Sequence, residues 1–130
     1  MEKPSVDQWL KEAGKEENAE KIGMYLTHVG VVRQTARAQV REGKVDAALV
    51  KTLAFSFDAE RIKRYRNETL EREGIYYVRL WMNEGILDVG EPIMQVLVGG
   101  DIRPHVIEAL EFLVGKIKSE CVIEKEQPYS

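Results

Sequence analysis

Between Val98 and Val106 the apolar pattern changes period, and this change constrains the fold more than any other feature of the chain. Ile93 to Val98 is a nearly continuous apolar run, the pattern of a buried strand, and Gly99 and Gly100 are expected to break it. From Pro104 onward the apolar residues return at helical spacing, with Val106, Ile107, Leu110, Leu113, Val114 and Ile117 on one stripe. Proline suits the first helical turn because the N–H it lacks would have no partner there.

The same alternation of patterns runs through the rest of the chain. Ser5 and Gln8 have capping-box spacing ahead of a short stripe of Val6, Trp9, Leu10 and Ala13. Ile22 to Arg33 reads as a strand, with Ile22, Met24 and Leu26 on one face and Tyr25, Val29 and Val31 on the other. Leu49 to Phe57 is a second strand, whose Leu53, Phe55 and Phe57 share a face. Asp58 can cap the following helix, in which Ala59, Ile62, Tyr65, Thr69 and Leu70 keep helical spacing, and Gly74 ends it with a left-handed turn. Ile75 to Met82 is a strand joined to Ile93–Val98 by the turn-rich NEGILDVGEP, and Cys121 to Lys125 closes the chain as a strand. The expected fold is one α+β domain over residues 1–130, a mainly antiparallel sheet with helices packed on one side.

Composition bounds the function. A net charge of -3 does not suit a general nucleic-acid binder, so any anion site must be a local cluster of Arg and Lys. The basic stretch 34–47, with Arg37, Arg41 and Lys44, reads as a mobile basic loop, with a short helix as the alternative; without interleaved aromatic residues it offers no stacking platform for nucleic acid. The N-terminal MEKPSVDQW lacks the apolar core of a signal peptide, no apolar run approaches a membrane span, and the single Cys121 fits a reducing compartment, so the cytoplasm is expected. Nucleotide-binding loops, GxSxG and CxxC are absent. His28 and His105 have no metal-ligand spacing and read as surface or half-buried polar residues, Cys121 reads as a small core residue, and neither metal nor cofactor is expected.

What remains is a set of cations at element ends. Arg33 closes the first strand, Arg103 opens the last helix, Lys118 stands at that helix's end, and Lys125 ends the final strand. Free N–H groups and the positive dipole end make a helix N-terminus hospitable to anions, and Arg103 would add to that. A lysine in a last helical turn is also favoured by the dipole alone, so Lys118 has a purely structural explanation beside the functional one. A turn between Lys118 and Lys125 could fold one towards the other.

At these residues the sequence resembles a family. VGVVR, ending at Arg33, is similar to a strand end of the large (catalytic) subunits of molybdopterin synthase; GILDVGEPIMQVLV, from Gly85 to Val98, resembles their glycine turn and following strand; RPHVIEALEFLVGKIKSECVIEKE, from Arg103 to Glu126, resembles their long helix and closing lysine motif. The resemblance implies an α/β hammerhead type of fold and a homodimer that binds two copies of a ubiquitin-like small subunit. That partner's C-terminal Gly-Gly thiocarboxylate would give its sulfur to a pterin substrate, cyclic pyranopterin monophosphate, in molybdenum cofactor biosynthesis. By position Lys118 and Lys125 would be catalytic, and Arg33 and Arg103 would bind the anionic substrate. Neither nucleic acid nor membrane is implied as a partner.

Several residues depart from the family pattern. Ile102 stands where a histidine precedes Arg103, Met82-Asn83 replaces a second His-Arg pair, Glu124 replaces a tryptophan, and Ala54 and Phe55 follow Leu53 in place of an acidic–aromatic signature. These departures keep open a second reading: a non-catalytic relative that retains the fold and binds a ubiquitin-like small partner.

Overall fold

The computed structural model describes residues 2–36 and 49–129. Most of the basic loop expected at 34–47 lies outside them. Helix α1 (Val6–Ala13) is followed by strands β1 (Met24–Val31) and β2 (Val50–Phe57), helix α2 (Ala59–Leu70), strands β3 (Ile75–Met82), β4 (Gly85–Asp88) and β5 (Pro92–Gly100), helix α3 (Arg103–Lys116) and strand β6 (Val122–Pro128). The α+β expectation holds, with the strands divided between two antiparallel sheets ordered β1-β5-β3 and β4-β2-β6.

Local chemistry sets the element ends. Ser5 accepts a hydrogen bond from the Gln8 amide at 3.2 Å, although the Gln8 side chain turns forward to Glu12 and leaves the capping box half made. Asp58 Oδ1 accepts from the Glu60 and Arg61 amides at 3.0 and 3.2 Å, as its cap position predicts. Helix α2 ends at Leu70; Gly74, at φ 78°, makes its left-handed turn three residues beyond the Glu71 cap, immediately before β3.

Two expectations are corrected. Gly99 and Gly100 do not break the strand, because β5 runs through both: Gly99 pairs with Tyr25 and Tyr77, and Gly100 with Met24 and Ile75. A Cβ on Gly99 would stand 2.7 Å from the Tyr25 ring, so glycine here allows close approach within the sheet. The segment read as turn-rich contains β4, in which Leu87 is buried opposite Leu53 while Ile86 is exposed opposite Ala54.

Helices α2 and α3 cover one face of β1-β5-β3. Their Ile62, Tyr65, Val106, Ala109 and Leu113 pack with Val78, Met94, Val96 and Val98, and Met24 and Leu26 of β1 join them. The α3 stripe is therefore narrower than expected: Ala109 belongs to it, and Ile107 is exposed. On the opposite face α1 meets β3, where Arg79 pairs with Glu12 and lies over the Trp9 ring at 4.7 Å. A second core of Val32, Val50, Leu53, Phe55, Leu87 and Ile93 is bridged to the first by Phe57, Met82 and Val122.

Candidate functional site

The chain leaves α3 through a π-type turn, Ile117–Cys121, before entering β6. Such turns carry one residue too many for α-helical register and re-aim the side chains that follow. This one is held from outside: the Asp58 amide donates to the Cys121 carbonyl at 2.8 Å, Arg61 to the Glu120 carbonyl at 2.9 Å, and Tyr65 Oη to Glu120 Oε1 at 2.9 Å. Lys116 Nζ completes the clamp at 3.0 Å from Glu120. Its ammonium, followed by the Tyr65 hydroxyl, holds the Glu120 carboxyl below its ordinary range. Burial pushes the Cys121 thiol up, in keeping with a core residue and not a thiolate nucleophile.

Lys118, on this turn, lines a cleft of about 410 Å³ formed with the end of β1 and with β2, β5 and β6. Arg33, His28, Glu124 and Glu126 line it as well, and Val31, Val50, Leu53 and Ile93 supply apolar wall. The Lys118 ammonium donates to Glu124 Oε1 at 2.5 Å. His28 shares the β1 face of Met24 and Leu26, which packs beneath α3. Its Nε2 is buried without a hydrogen-bond partner among the described residues. Burial first, and the nearby Lys118 charge second, lower the His28 pKa, so the ring is neutral at pH 7.

The expected site residues are divided. Arg33, whose Nε donates to the Thr35 carbonyl at 3.0 Å, shares the cleft with Lys118. Arg103 is at the other end of the β1·β5 ladder: Val31 pairs with Pro92 but Met24 with Gly100, a separation of about 24 Å at strand rise. The turn between Lys118 and Lys125 brings Glu124 to Lys118, not Lys125. Glu124 and Glu126 pair with Phe55 and Leu53 on the inner face of β6, and period-two alternation leaves Lys125, opposite Ala54, on the outer face with the exposed Ile123.

A second polar cluster lies at the entry to α3, whose first residue is Arg103. His105 Nδ1 is 2.7 Å from Asp101 Oδ1 and its Nε2 is 4.0 Å from Glu73, while Asp101 Oδ1 also accepts from the Ile102 amide at 2.6 Å. His105 and the Ile102 amide thus share one Asp101 oxygen. His28 and Glu126 line the cleft without a role in the sequence reading, whereas Glu124 is marked there as a departure from the family pattern. The available signal for His28 was its parity: it is the polar member of an otherwise apolar strand face.

A sequence profile of the family described as MoaE protein matches residues 2–120. The chain belongs to the MoaE family. A curated relative, the molybdopterin synthase catalytic subunit of Pyrococcus abyssi (strain GE5 / Orsay), is 29% identical over 92 residues, which cover 68% of this chain and 62% of that protein. The match to it therefore spans less than two thirds of the relative's length. Among solved structures, molybdopterin synthase from Staphylococcus aureus superposes with a TM-score of 0.75 at 16% identity, covering 100% of this chain and 89% of that one. The MoaE protein of Burkholderia ambifaria MC40-6 gives 0.73 at 18% identity, covering 97% and 78%. A complex of subunits 1 and 2 of the molybdopterin-converting factor from Helicobacter pylori 26695 gives 0.67 at 15%, covering 97% and 80%. At these identities the structural likeness establishes the fold, and it is the large-subunit fold that the MoaE family shares. Among the described residues no helix is long and apolar enough to cross a membrane, and no three His, Cys, Asp or Glu side chains are gathered as metal ligands.

Proposed function

We propose that this MoaE-family chain acts in molybdenum cofactor biosynthesis as the catalytic subunit of a molybdopterin synthase, a sulfurtransferase. In this reading a ubiquitin-like small subunit presents a C-terminal Gly-Gly thiocarboxylate, and its sulfur passes to cyclic pyranopterin monophosphate to build the dithiolene. The observation that carries the reading is the cleft shared by Lys118 and Arg33, reached through a turn that four outside contacts hold in place. Tail and pterin are both anionic. A fixed ammonium stabilises charge that builds on departing oxygen, and a guanidinium fork suits phosphate. The Helicobacter pylori complex of two subunits supports a protein partner of this kind.

A homodimer is part of the proposal. One chain cannot bring Arg103 or Lys125 into the Arg33–Lys118 cleft, because Arg103 stands at the far end of the β1·β5 ladder and Lys125 on the outer face of β6. If those two cations serve the same substrate, a second copy must supply them. The second reading, a non-catalytic relative that binds a small partner, draws support from Glu124, whose carboxylate neutralises Lys118 where the resembled family carries tryptophan.

The test is to incubate the purified chain with a thiocarboxylated small subunit and the cyclic pterin and to assay dithiolene product. Turnover supports the enzyme. Capture of the small subunit with no product supports the binding relative.

A further inference from the structure

The cleft already holds a carboxylate. Glu124 Oε1 accepts from Lys118 Nζ at 2.5 Å, with the side chains 17% and 33% exposed, and the pair is tethered through a turn and two residues of strand. Two cations, Arg33 and Lys118, face two carboxylates, Glu124 and Glu126, so the lining is formally balanced. His28 adds a neutral ring beside Lys118. A cleft so composed does not attract anions by net charge.

From this geometry we infer that Glu124 is a built-in, displaceable occupant of Lys118, and that the ligand which displaces it is a main-chain carboxylate or thiocarboxylate at the end of a flexible peptide. The inference rests on the proposed function, since it names how the partner's tail would gain Lys118. The ligand class is that of the proposed function, and the cleft is compatible with it: the space beside Lys118 accommodates a carboxylate in hydrogen-bonding geometry, and Val31, Val50 and Ile93 supply an apolar wall.

The cost follows from linkage. An incoming tail sees Lys118 only in the fraction of molecules where Glu124 has released it, so its apparent affinity falls by that fraction. The tethered carboxylate competes at high effective concentration and forms a charge-assisted hydrogen bond, the stronger kind. Glu124 thus acts as a specificity device, since ligands lacking a terminal carboxylate cannot replace what they remove.

The experiment is calorimetric titration of the full-length chain with a synthetic peptide ending in Gly-Gly-COO⁻, beside the same peptide capped as an amide. Glu124→Gln keeps the side chain's shape and should bind the free-acid peptide about tenfold more tightly than wild type, the scale of one charge-assisted hydrogen bond. Glu124→Ala should do the same, and neither should tighten the amide. Unchanged or weaker free-acid binding in both variants, with wild-type binding intact and abolished by Lys118→Gln, would overturn the displacement and leave the proposed function standing. Equal tightening of acid and amide would also overturn it. No binding by wild type or either variant would remove the inference and the tail-binding reading together.

Discussion

Asp101 and His105 lie one helical turn apart and meet at 2.7 Å at the entry to α3, beside Arg103. The Asp101 hydrogen bond, with smaller help from Glu73 and Glu108, raises the His105 pKa above its usual value, and the same bond lowers that of Asp101. A base with a raised folded pKa contributes stability in full below its unfolded pKa, near 6.5, and loses it as pH rises through the folded value; the acid's share is lost as pH falls through its lowered pKa. The pair should therefore stabilise most between roughly pH 4 and 6.5. His105→Gln should lower Tm more at pH 6 than at pH 9. An equal loss at both values would show the contact to be uncharged.

His28 should titrate in the opposite direction. Its pKa is lowered, so the unfolded chain binds the proton more readily, and stability falls as pH drops through the unfolded value near 6.5. The chain has only two histidines, so proton NMR should show two ring titrations, one on each side of that value. His28→Phe should remove the lower one and lessen the acid sensitivity. Two coincident curves near 6.5 would contradict both environments.

Two glycines should respond to alanine with opposite signs. Gly74 has φ 78°, and a Cβ there would stand 2.3 Å from Asp101 Oδ1 and 2.4 Å from His105 Nδ1. Gly74→Ala should cost about 1–3 kcal/mol in urea unfolding and loosen the Asp101–His105 pair. Gly115 is exposed on α3 with nothing near its Cβ position, and Gly115→Ala should gain about 0.5–1 kcal/mol.

The fold was legible where one residue type dictates local geometry. Asp58 had to cap and Pro104 had to open a helix, and both do. Gly99 and Gly100 misled because glycine marks both strand ends and close approaches, and only the Tyr25 ring, distant in sequence, distinguishes the two. The site was half legible. Arg33 and Lys118 share the cleft, but the π-type turn shifts register by an amount no spacing rule anticipates, bringing Glu124 inward and leaving Lys125 outside. That His28 lies beside Lys118 depends on α3 packing over β1, a tertiary fact that alternation alone cannot supply.

The central claim is that the Lys118 ammonium stabilises charge during sulfur transfer. It is tested most directly by the single-turnover rate of dithiolene formation in Lys118→Ala, with thiocarboxylated small subunit and pterin at saturation. A fall of about 10²–10³-fold with the fold intact is expected, the usual effect of losing one such group. A rate within about twofold of wild type would contradict it.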